Sequence, residues 1–158
     1  MDSNASDRPR RYLAVWFPFL SADRFARSAS PSPAPGEPPR AFIVREKNAV
    51  RLAAVDPAAD ALGLGAGLTL ADARARVPEL VAVELDAAAA AAWPGRIADA
   101  CDRYTPFVAL DGADGVILDI TGCAHLFGGE AAMRDDLQGR LARIATGTRA
   151  AIAGTPQA

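Results

Sequence analysis

The chain has 158 residues, 51% of them hydrophobic, and a formal net charge of −2 at pH 7. That suffices for one compact domain with a sizeable core and a second small lobe. A charge so near zero argues against a strongly basic nucleic-acid-binding domain, and two cysteines argue against a disulfide framework.

In chain order, residues 1–11 (MDSNASDRPRR) are polar and expected to be disordered, with no secretory apolar run behind the charges. Tyr12 to Phe17 reads as a buried strand stopped by Pro18. Ser21 is placed to N-cap a short helix reaching Arg27. Residues 28–39, SASPSPAPGEPP, form a Pro/Ser-rich extended loop. AFIVRE and AVRLAAV read as two strands of a hairpin turning at Glu46-Lys47-Asn48. DPAADALGLGAG begins a helix and stops it with glycines. Its GLGAG lacks dinucleotide-loop spacing and is a terminator. Thr69 caps a helix with Leu70, Ala73 and Val77 on one face, ended by Pro78.

LVAVEL is a further strand. Residues 86–104 carry Trp93, Ile97, Cys101 and Tyr104 at helical spacing, with Pro94 expected either to kink the helix or to delay its start. PFVAL and GVILDI are strands joined across the turn signal DGAD. Glu130 to Ala145 is an amphipathic helix through Met133, Leu137, Leu141 and Ile144, and RAAIAG is a last strand. The sum is α/β. A ferredoxin-like mixed sheet with helices is built from residues 12–19 and 80–158, and residues 20–79 form an inserted lobe. No apolar stretch is long enough to span a bilayer, so a cytoplasmic chain without membrane contact is expected.

The chemistry concentrates in residues 111–129, DGADGVILDITGCAHLFGG. Asp111, Asp114 and Asp119 bracket a strand, and a carboxylate at a strand end is what magnesium-dependent phosphoryl transfer uses to hold its metal. The simpler reading makes Asp111 a turn residue, Asp119 an exposed strand residue and Asp114 a turn-capping carboxylate. Cys123 and His125 fall short of the four ligands of a structural zinc site, even with Cys101. Trp16 and Phe17, at a strand end, are read as core, with an interaction surface as the alternative.

LDITGCAHLFGG, set after PFVALDGADGVI, resembles the second conserved block of the Y-family translesion DNA polymerases, a Ser-x-Asp-Glu sequence running into Leu-Asp-x-Thr. The resemblance covers roughly residues 12–156, and it implies the palm and fingers portion of that fold. It aligns Asp114 with the metal-binding aspartate and Gly115 with the neighbouring glutamate. In the first block it sets Trp16 and Pro18 where two aspartates would stand. In the triphosphate-gripping block it sets Pro57 for a tyrosine and Asp60 for an arginine. Two-metal transfer needs several carboxylates around cations about 3.5–4 Å apart, and one remains by this alignment. Asp60 would also repel a triphosphate.

What the resemblance implies is therefore a catalytically degenerate member with no catalytic, nucleotide-binding or metal residues and no cofactor. Such a protein acts as an adaptor in damage-induced mutagenesis. Its partners would be an error-prone C-family polymerase, a RecA-like accessory protein and the sliding clamp, and DNA contact by this portion would be weak. Two alternatives stand beside it. In one, the chain is an active Y-family nucleotidyltransferase portion, magnesium-dependent, with Asp23, Asp111 and Asp114 converging. In the other it is an unrelated α/β module, favoured if the first and last strands fail to share a sheet with residues 115–120.

Overall fold

A computed structural model describes residues 9–28 and 36–156. The disorder expected for residues 1–8 and the Pro/Ser loop over 29–35 lie outside the described residues. In chain order the elements are β1 (Tyr12–Trp16), α1 (Leu20–Ser28), β2 (Arg40–Glu46), β3 (Ala49–Val55), α2 (Pro57–Ala61), α3 (Leu70–Arg76) and β4 (Val81–Glu84). There follow α4 (Ala87–Cys101), β5 (Val108–Asp111), β6 (Gly115–Asp119), a 3-10 turn (Ala124–Phe127), α5 (Glu130–Leu141) and β7 (Arg149–Ala153). Among the described residues no helix is long and apolar enough to cross a membrane. The chain divides into two compact units, one made of the segment up to Pro18 with Ala91 onward, the other of Phe19–Ala90.

In the first unit the strands are ordered β5-β6-β1-β7, antiparallel throughout. With α4 before β5 and α5 before β7, this is the ferredoxin-like arrangement, and β1 lies beside both β6 and β7 as one sheet requires. Side chains alternate along a strand, so each strand presents one face inward. Leu13 and Val15 on β1 and Val116 and Leu118 on β6 are buried. The helices supply the stripes their spacing predicts, Ile97 and Cys101 on α4 and Met133, Leu137 and Leu141 on α5, all buried. Helix α4 starts at Ala87 in the alanine run and continues through buried Pro94, so the proline does not delay its start.

The second unit holds a three-stranded sheet ordered β3-β2-β4. Central β2 reads Ala41-Phe42-Ile43 without alternation because both its faces are covered. Phe42 meets Phe25 of α1 edge-on at 5.7 Å, while Ala41 and Ile43 join Ala59, Leu64, Ala73 and Val77 in a separate cluster. Two sequence expectations change here. Strand β4 pairs in parallel with β2, so the inserted unit extends past residue 79 to Ala90 and residues 80–90 leave the palm-like part. The physical reason is that LVAVEL marks a strand by composition, but its partner is fixed by non-local pairing that composition does not encode. Helix α1 begins at Leu20, with the Phe19 carbonyl accepting from Asp23 N at 2.9 Å, so Ser21 lies inside the helix rather than capping it.

Candidate functional site

The strand register brings four sequence-distant residues into one row. Asp111 of β5 stands opposite Gly115 of β6, Gly115 opposite Trp16 of β1, and Trp16 opposite Arg149 of β7. The row closes one end of the antiparallel sheet, next to the DGAD turn. Gly112 takes the left-handed backbone (φ 63°) that makes this hairpin tight. The turn is fixed to β1 by a hydrogen bond from Phe17 N to the Asp114 carbonyl, 2.8 Å.

Trp16 departs from its expected place. It is 44% exposed, whereas its neighbour Phe17 is 1% exposed. Alternation along β1 allows only one of the two to point inward, and the inward position belongs to Phe17. The Trp16 indole instead lies at the surface, donating Nε1–H to Asp114 Oδ2 at 2.9 Å. The Arg149 guanidinium sits 5.3 Å from the indole centroid, a cation–π distance. Arg149 escaped the sequence reading; the signal available was its position at the mouth of the last strand, which becomes meaningful once the register is known.

Gly115 is buried, and a Cβ built on it would lie 2.8 Å from the Asp111 carbonyl oxygen and 3.2 Å from Asp111 Cβ. The position therefore tolerates no side chain without movement of the hairpin. Pro18, two residues beyond Trp16, is half-buried and offers no donor or ligand. The oxygen donors at this end of the sheet are the exposed carboxylates of Asp111 and Asp114, one oxygen of the latter engaged by the indole.

The other candidates have local explanations. Asp56 Oδ1 caps α2 by accepting from Ala59 N at 2.8 Å, Pro57 is the first helical residue, and Asp60 is acidic in the first turn, where the helix dipole favours it. Both Pro57 and Asp60 are exposed in the second unit. Asp23 lies on α1 in that same unit, while Asp111 and Asp114 share the hairpin of the first. Among the described residues no group of three or more His, Cys, Asp or Glu is placed to hold a metal. Cys101 is buried, which pushes its thiol up to about 11.

Asp119 is not the exposed strand residue expected. Its Oδ1 accepts from Thr121 N at 2.9 Å, and its Oδ2 is 3.8 Å from the Arg10 guanidinium. Thr121 Oγ1 accepts from Arg11 N at 2.9 Å, and Ile120 N donates to the Arg11 carbonyl at 2.9 Å. The Arg11 guanidinium then grips Glu130 through two bonds of 2.7 and 2.6 Å. Leu-Asp-Ile-Thr and the Gly-Gly-Glu that follows thus form a clasp on the entry to β1, with Gly128 and Gly129 at positive φ redirecting the chain between them. The clasp is a positioning device, and it accounts for Asp119, Thr121 and the glycine pair within the LDITGCAHLFGG motif.

The sequence model of the impB/mucB/samB family matches residues 23–158. The chain belongs to the impB/mucB/samB family. Protein ImuB of Caulobacter vibrioides, in two strains, is 53% identical over 94 residues, which is 60% of this chain and 20% of that protein. The chain thus spans about a fifth of the length of these curated relatives. Its fold is that of the Y-family polymerases. It matches DinB from Sulfolobus solfataricus with a TM-score of 0.75 at 17% identity, covering 90% of this chain and 42% of that one. It also matches an insertion ternary complex of Dbh DNA polymerase with a TM-score of 0.71 at 16% identity, covering 90% and 42%.

Proposed function

We propose that this impB/mucB/samB chain is the palm and fingers portion of a non-catalytic Y-family protein that acts as an adaptor in DNA damage tolerance and mutagenesis. The observation that carries the reading is the Trp16–Asp114 hydrogen bond within the Asp111-Gly115-Trp16-Arg149 row. Magnesium demands a near-octahedral set of oxygens, and a two-metal centre needs carboxylates from several sides. Tryptophan, proline and glycine supply none at positions 16, 18 and 115, and the indole already takes one Asp114 oxygen. The donor set does not fit the metal pair, so no catalytic step is assigned to these residues. The similarity to Protein ImuB supports a place in mutagenesis rather than in processive replication.

The partners proposed are an error-prone C-family polymerase, a RecA-like accessory protein and the sliding clamp, in the cytoplasm. Titration calorimetry with Mn²⁺, with and without a nucleoside triphosphate, tests the core of the reading. No saturable binding at millimolar concentration is expected. Saturable binding that Asp114→Asn abolishes would return the chain to the active alternative.

A further inference from the structure

Strand β5 forms one edge of the first unit's sheet, pairing with β6 and with no other strand among the described residues. Two bonds at the end of the sheet fix the direction of its backbone groups. Asp119 N donates to the Phe107 carbonyl at 2.9 Å, so Phe107 stands at a hydrogen-bonding position opposite Asp119, and such positions alternate along an antiparallel ladder. Ala109 and Asp111 therefore also turn their amides and carbonyls to β6, and Val108 and Leu110 turn theirs to the open edge. The far side of β6 agrees. Ile120 N donates to the Arg11 carbonyl, which directs Leu118 and Val116 to β1 and leaves Ile117 and Gly115 for β5.

Sheet edges are commonly blunted by charge, proline or a covering element. Between Pro106 and Asp111 this one reads Phe107-Val108-Ala109-Leu110, without a charge. Phe107 is 71% exposed on the outer face and Leu110 is 52% exposed on the inner one. Val116, opposite Leu110, is buried, so the packed layer against the inner face ends at β6. At the turn end of the edge stand the exposed carboxylates of Asp111 and Asp114.

We infer that β5 is a docking edge for an extended segment of a partner protein, which joins the four-stranded sheet as an antiparallel fifth strand. The edge sets the sequence of that segment. Its residues opposite Leu110 and Val108 exchange hydrogen bonds with them and share the inner face, so both are apolar. The residue opposite Asp111 is basic, facing the two carboxylates. The residue opposite Phe107 is apolar, and the one opposite Ala109 is unrestricted. From its N-terminus the segment reads basic, apolar, any, apolar, apolar. A second copy of this chain fits less well. Pairing β5 with β5 over its whole length matches Val108 with Leu110 and sets Phe107 opposite Asp111 of the second copy, a ring against a carboxylate. That contact also engages about five residues a side, where a stable interface takes roughly 20–30. The edge would serve a catalytic chain equally, so this inference and the Mn²⁺ titration stand or fall separately.

The test is amide hydrogen exchange of the ¹⁵N-labelled 158-residue chain, read by NMR with and without millimolar acetyl-RVTVV-amide. The Val108 and Leu110 amides should exchange fast in the free chain and slow at least about tenfold with the peptide, while Ala109 and Asp111 are protected in both. N-methylation of the second and fourth peptide residues removes the donors that face β5 and should abolish the slowing. N-methylation of the third, whose N–H points away, should retain it. Replacing the peptide arginine by glutamate should weaken binding roughly fivefold, and Asp111→Asn should shrink that difference. Unchanged exchange at Val108 and Leu110 overturns the inference, as does slowing that the doubly methylated peptide reproduces. Protection of both amides that rises with chain concentration in the absence of peptide assigns the edge to a second copy and overturns it as well.

Discussion

Substituting Gly115 by alanine isolates the steric statement made by the DGAD hairpin. The added Cβ would sit 2.8 Å from the Asp111 carbonyl oxygen, 3.2 Å from Asp111 Cβ and 3.5 Å from the Val15 carbonyl oxygen. Two of these three atoms are backbone atoms of paired strands, so relief requires the hairpin or β1 to shift. Overpacking of this kind costs about 1–3 kcal/mol. Replacing a strand glycine by alanine recovers roughly 0.5–1 kcal/mol of backbone entropy. The balance is a destabilisation centred near about 1 kcal/mol, with an upper bound of about 2.5 kcal/mol. Both tryptophans, Trp16 and Trp93, belong to the unit that contains Gly115, so urea unfolding followed by tryptophan fluorescence reports on that unit. Gly139, on the exposed face of α5, is the control, because a Cβ there meets nothing within 4 Å. Gly139→Ala should stabilise by about 0.5–1 kcal/mol. A Gly115→Ala chain as stable as the parent would refute the reasoning, and with it the claim that a glutamate cannot be written into this position without moving the hairpin.

Two further predictions concern titration. Burial, aided by the hydrogen bond to Asp136, pushes the Tyr104 hydroxyl up to about 12, so the stability it contributes is complete below the ordinary tyrosine value and is lost as pH rises towards 12. Ultraviolet titration should show a late phenolate step that Tyr104→Phe removes; a normal midpoint for every tyrosine would contradict the packing. The Arg11 hydrogen bond holds the Glu130 carboxyl below its usual range, so the clasp contributes stability above the unfolded carboxylate value and loses it as pH falls through the lower folded one. The stability difference between the parent and Glu130→Gln, measured by urea unfolding, should be small because the pair is partly exposed, and it should vanish in acid. A difference that grew in acid would reverse the sign of this argument.

The parts of the fold legible in the sequence were those written in local pattern. Met133, Leu137 and Leu141 repeat at helical spacing and are buried, and Thr69 Oγ1 accepts from Asp72 N at 3.1 Å as a capping residue should. The adjacency of β1 and β6 followed from family resemblance, since no periodicity links residues a hundred positions apart. Apart from the start of α1 at Leu20 and the local bond from Thr121 N to Asp119, the misplacements are non-local. Nothing in LVAVEL states that it will lie parallel to β2, and Trp16 reads as core until the phase of β1 assigns the inward place to Phe17. For the same reason Gly115 looked like a missing carboxylate, and only its contact with Asp111 shows it to be a tight approach of backbone. Thr121 lies in the LDITGCAHLFGG motif and Glu130 opens the helix after it, yet their role as a clasp on Arg11 is visible only in three dimensions.

The position of β1 also orders events during synthesis. Its two hydrogen-bonding neighbours, β6 and β7, are both encoded near the other end of the described chain, with the whole Phe19–Ala90 unit between. At ribosomal rates of about 5–20 residues per second, the apolar Tyr12–Trp16 segment waits roughly ten seconds for them. The intervening unit holds its own sheet and buried cluster and can close first, shortening the effective loop that joins β1 to its neighbours. Until β7 is released, one edge of β1 remains an open template for strand pairing, so a nascent chain stalled before residue 149 is the form most exposed to aggregation.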